Sequence, residues 1–68
     1  MSIVYTGERV GLCGGHGDCY VTAHDSGAVM LSVHVGGMSA MVHLKPEDAK
    51  TLARSMLEAA IAAQGDGA

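Results

Sequence analysis

Apolar and small polar side chains alternate with a period of two from Ser26 to Leu44. This stretch has no Asp, Glu, Lys or Arg and is interrupted at Gly36-Gly37. Adjacent glycines accept the positive φ angles of a two-residue hairpin turn, so the stretch predicts a β-hairpin. Closing it at Gly36-Gly37 sets Val35 opposite Met38, Val33 opposite Ala40, Leu31 opposite Val42 and Val29 opposite Leu44. One face is then wholly apolar. Met30, Ser32, His34, Ser39, Met41 and His43 collect on the other face.

The strand before the hairpin is Cys19 to His24, and the length of its turn around Asp25-Ser26-Gly27 decides which of its faces meets the core. A three-residue loop, with Gly27 in the left-handed position of a bulge, turns Cys19, Val21 and Ala23 to the apolar side. A two-residue loop would turn Tyr20, Thr22 and His24 there. Burying the first set costs less desolvation, so the three-residue loop is expected. Ser2 to Thr6 is a short β-prone run, and Glu8 to Leu12 is a weaker one, with Gly7 bending one strand or joining two. Cys13 to Asp18 is too rich in glycine for a regular element and reads as a loop.

A switch to a helical period follows Leu44. Lys45-Pro46-Glu47-Asp48 puts proline at the first helical position and two carboxylates in the first turn, where the helix dipole favours them. Ala49, Leu52, Ala53, Met56, Leu57, Ala60 and Ala63 form one stripe, and Gly65 is a stop signal. That stripe is expected to cover the sheet, although its alanines bury little area each. Ile61 falls on a shoulder of the helix beside Lys50 and Arg54, as a partly exposed residue or a second contact edge.

The fold class expected is α+β: an antiparallel β-meander of 3–5 strands with one C-terminal α-helix packed on one face. It occupies a single domain over residues 1–64, with a frayed tail at 65–68. At 68 residues such a domain buries only about 60% of the surface of its unfolded chain, so marginal stability is expected. The absence of Phe and Trp leaves a core of Val, Leu, Ile, Met and Ala, which is thin.

With one helix on one face, the opposite sheet face is uncovered in a monomer. Its expected rows are Asp18, His34 and Ser39, then Tyr20, Ser32 and Met41, then Thr22, Met30 and His43. Exposed faces of antiparallel sheets ordinarily carry charge, whereas only Asp18 and Asp25 are charged between Val10 and Leu44. A neutral β surface with methionines and a tyrosine invites association, so a partner is expected to cover it. Candidates are the N-terminal strand, a second copy of the chain or a different protein. A homodimer comes first because one self-complementary patch suffices. The expected interface is Tyr20, Thr22, Met30, Ser32, His34, Met41 and His43. The function expected is that of a small non-enzymatic protein-interaction module. It acts as a homodimer, or as a regulator or inhibitor of the sort phages and mobile elements encode.

Candidate chemistry is sparse. His34 and His43 are offset by four residues on neighbouring strands, about 13 Å, and His24 is roughly 12 Å from His43, so no ion bridges them. Cys13, His16 and Cys19 have the spacing Cys-x2-His-x2-Cys, with Asp18 or His24 as a fourth ligand, and define the alternative, a small zinc-binding domain. An oxidised Cys13-Cys19 pair and an ordinary glycine-rich loop are the competing readings of that segment. Nothing sets a base against a thiol, and the glycine run lacks the Lys-Ser or Lys-Thr of a phosphate loop. No catalytic residue and no cofactor are therefore expected. A net charge of −3 with four Lys and Arg offers no phosphate-binding stripe, so nucleic acid is not an expected partner. The N-terminal residues do not resemble a secretion signal and the uncharged run is too interrupted to span a bilayer, so a cytoplasmic protein is expected.

Overall fold

The computed structural model describes residues 2–12 and 14–65. Its elements are β1 (Ile3–Thr6), β2 (Val10–Gly11), β3 (Gly17–His24), β4 (Val29–Val35), β5 (Met38–Leu44) and α1 (Pro46–Gln64). The protein is α+β, an antiparallel five-stranded sheet followed by one C-terminal helix, as its pattern predicts. Strands run in the order β1-β3-β4-β5, with β2 also paired to β3.

Both turns set the expected register. Gly36 has φ +60° and Gly37 has no positive φ, the arrangement of a two-residue turn with a left-handed first position, and Val35 faces Met38. At the earlier turn the Gly27 N–H donates to the His24 carbonyl at 3.0 Å, and Gly27 has φ +93°. The His24 N–H donates to the Ala28 carbonyl at 2.9 Å. This three-residue loop pairs Ala23 with Val29, Val21 with Leu31 and Cys19 with Val33. The aliphatic side chains of β3, β4 and β5 therefore share one face.

β3 begins two residues before its expected start. Gly17 pairs with Val35, and a Cβ at this position would run into the His34 carbonyl oxygen. Lack of a side chain is what admits residue 17 to the ladder, so the glycine that reads as loop extends the strand. The Gly36 N–H donates to the His16 carbonyl at 2.9 Å, closing the same corner.

Gly7 joins two strands instead of bending one. β1 pairs with the end of β3 and β2 with its start, so the N-terminal segment lengthens the sheet along one edge. Between them the Gly7 N–H donates to the Val21 carbonyl at 2.7 Å, an approach for which an added Cβ would have little room. The Asp25 N–H donates to the Ser2 carbonyl at 2.9 Å, and the Ser2 N–H to Asp25 Oδ1 at 3.1 Å, fixing the start of the segment. This edge placement means that the N-terminal strand does not fold over the neutral face.

α1 starts as its sequence requires. Pro46 opens it, Glu47 and Asp48 lie in its first turn, and Gly65 closes it at φ +71° with its N–H donating to the Ala62 carbonyl. The expected tail at 65–68 lies outside the described residues from Asp66 onward.

The helix rises on the aliphatic side of the sheet. Ala49, Leu52, Ala53 and Met56 border an apolar cleft with Val21, Val29, Leu31 and Leu44. It does not close down on the sheet: apart from half-buried Ala49, every described helix residue is exposed. The packing is looser than the stripe alone implies. The radius of gyration is 13.7 Å, whereas a compact chain of this length has about 11 Å.

Candidate interaction surface

The neutral face carries the three predicted rows. Asp18 faces His34 and His34 faces Ser39; Tyr20 faces Ser32 and Ser32 faces Met41; Thr22 faces Met30 and Met30 faces His43. Much of this face is closed by the chain itself. The Tyr20 and His34 rings stack with centroids 5.9 Å apart. The Arg9 guanidinium lies 4.6 Å from the Tyr20 ring centroid and pairs with Asp18 Oδ2 at 3.2 Å. Thr22 and Ser32 are buried, and Thr22 Oγ1 lies 3.4 Å from His24 Nε2. Met30 is half-buried, while Met41 and His43 are exposed. Of the expected interface residues, Met41 and His43 therefore present the most open surface, with Tyr20, Met30 and His34 at half exposure.

The aliphatic face is less well covered. Val21, Val35, Met38 and Val42 are all exposed. The helix borders the sheet toward the end bearing Val29 and Leu44, over Val21 and Leu31 as well. A second apolar hollow at the opposite end is bordered by Val35, Met38, Ser39 and Ala40, without a helix residue. On the helix, Met56 and Leu57 are 63% exposed and Ile61 60%. Among the described residues no apolar side chain is buried.

The apolar stripe predicts Leu52, Met56, Leu57 and Ala60 under the chain's own sheet. Two signals in the chain point the other way. A single residue, Lys45, separates Leu44 from Pro46, and residues before proline are confined to extended conformations, so the helix has little freedom to swing back. After Glu58, the segment Ala59-Ala60-Ile61-Ala62-Ala63 is apolar around the whole helix. Such an all-round apolar helix end belongs in an interior.

The candidate metal ligands are not gathered among the described residues. Cys13 lies outside them. His16 is exposed in the turn before β3. Cys19 pairs with Val10 and Val33 and so lies on the aliphatic face. Asp18, its neighbour in the strand, therefore lies on the opposite face, as does the other fourth-ligand candidate, His24, by alternation along β3. Among the described residues no group of three His, Cys, Asp or Glu side chains is placed to hold an ion. The histidine spacing is as expected: His34 faces Ser39 while His43 faces Met30.

No helix among the described residues is long and apolar enough to cross a membrane. The chain matches no protein-family model, no curated protein and no solved structure.

Proposed function

We propose that this chain is a small non-enzymatic interaction module. It works as a homodimer, or as a regulator or inhibitor docked on a larger protein, through its aliphatic sheet face and the stripe of its helix. The observation that carries this reading is the lack of any buried apolar side chain among the described residues. Hydrophobic burial is the main favourable term in folding, and here the chain alone realises little of it. Its accessible surface is 5275 Å², whereas size scaling gives a compact 6.9 kDa monomer about 4000 Å². The difference is the surface a partner would cover.

The chemistry of the surface suits contact. Its cleft is bordered by aliphatic and thioether groups, Val21, Val29, Leu31, Leu44 and Met56 among them, with no titratable side chain in the lining. Neutral walls of this kind bind apolar surface and lack the converging polar groups of a reaction site. The neutral face is the smaller candidate, because Arg9, Tyr20 and His34 cover one another there.

Thermal unfolding of the purified chain, followed by circular dichroism at several protein concentrations, tests the reading. The expected result is a midpoint that rises with concentration, or no cooperative transition without a docking partner. A strict monomer that unfolds cooperatively at a concentration-independent midpoint would overturn it.

A further inference from the structure

The interaction reading leaves open what covers the aliphatic surface, and the following inference rests on that reading. The exit direction of the helix is built into the sequence. Lys45, at φ −72° and ψ 155°, is held extended by the proline after it, and the Pro46 ring fixes the next φ. The helix therefore leaves β5 with its first turns over Val29 and Leu44 and its later turns clear of the sheet. Two complementary surfaces are left on one chain: a helix end with Leu57, Ala60 and Ile61, and a sheet end with Val35, Ala40 and Val42.

We infer that a second copy of this chain is the occupant, each helix crossing the aliphatic sheet face of its partner in a two-fold dimer. The area fits. Each chain exposes more than about 1000 Å² beyond a compact monomer of its mass, so two together can bury roughly 2000 Å², which is where stable homodimer interfaces begin. The lengths fit as well. α1 has 19 residues, about 28 Å of helix, and β4 and β5 have seven residues each, about 24 Å of strand. The part beyond the chain's own cleft, from Leu57 to Gln64, is about 12 Å long and can cover about half the length of the partner's strands.

Charge does not oppose a like partner. The sheet end holds no Asp, Glu, Lys or Arg, and on the helix Lys50, Arg54 and Glu58 border the contact surface on its Ile61 side. Two chains of net charge −3 can therefore meet with these charges at the rim of the contact. A two-fold contact needs both halves of the interface on the same chain, and this chain carries both. A rigid exit that prevents self-coverage becomes, in the dimer, the device that delivers the helix to its neighbour.

The test is an isotope-filtered nuclear Overhauser experiment on a mixture of ¹³C-labelled and unlabelled chain, refolded together. Ile61 is a clean probe because Ile3 is the only other isoleucine. Intermolecular cross-peaks from the Ile61 and Leu57 methyls to those of Val35 and Val42 are expected, and are lost in a sample that is all labelled or all unlabelled. A dimer with cross-peaks from Met41 instead would overturn the helix exchange while sparing the interaction reading. So would a monomeric chain without cooperative structure, which would assign the surface to a different protein. A cooperatively folded monomer would overturn both.

Discussion

Tyr20 on β3 and His34 on β4 stack with their rings 16° from parallel, one step along the diagonal of the sheet, and the Arg9 guanidinium lies over the tyrosine ring. Aromatic and cationic neighbours thus close a corner that would otherwise be open. Arg9 is 64% exposed and its ion pair with Asp18 is largely solvated, so its contribution is modest. Arg9→Ala should destabilise the protein by about 0.5–1 kcal/mol. In a Tyr20→Leu background the same substitution should cost clearly less, as read by a double-mutant cycle in chemical denaturation. Equal costs in the two backgrounds would show that the guanidinium is held by Asp18 alone.

Gly17 and Gly11 provide a matched pair. Gly17 lies in β3 and Gly11 in β2, which pairs with it, but a Cβ at Gly17 would strike the His34 carbonyl oxygen whereas one at Gly11 meets nothing within 4 Å. Gly17→Ala should cost about 2 kcal/mol or more, because backbone must move. Gly11→Ala should fall within about 0.5 kcal/mol of the parent. Denaturant midpoints of the two variants check this contrast, and equal midpoints would contradict it.

The turn glycines should separate in the same way. Gly36 alone of the pair has positive φ, so Gly36→Ala is expected to cost about 1–2 kcal/mol. Gly37→Ala should cost well under that. Hydrogen exchange of the β4 and β5 amides reports the difference directly, since this turn sets their register.

Leu57 and Ser55 lie on opposite sides of α1. Leu57 contributes to the apolar stripe and is 63% exposed in the single chain. Leu57→Lys should therefore lower the unfolding midpoint at fixed protein concentration, with a loss of about 1.5–3 kcal/mol if the side chain is buried in the assembly. Ser55→Ala, on the solvent side, should leave the midpoint nearly unchanged. A Leu57→Lys variant as stable as the parent would remove the helix from the contact.

Most of the sheet was legible because two turns dictate it. Gly36-Gly37 and Asp25-Ser26-Gly27 fix the register of β3, β4 and β5, and a slip of one residue would have exchanged the faces, so the alternation of Val, Leu and Ala resolves it. The helix ends were legible from Pro46 and Gly65 for equally local reasons. The early start of β3 was not, since glycine reads as loop unless the close approach of the His34 carbonyl is known. The stance of the helix was not legible from its stripe either. Periodicity states which side of Met56 and Leu57 is apolar but not whose sheet it meets; the single-residue link at Lys45 bears on that, and its effect appears only with the backbone angles.

The most direct test of the central claim, that the aliphatic faces are covered by another chain, is sedimentation equilibrium of the purified protein from low to high micromolar concentration. A mass of twice the 6.9 kDa chain, dissociating on dilution together with loss of helical signal, is the result predicted. A 6.9 kDa particle that keeps its helix and its cooperative unfolding at every concentration would contradict it.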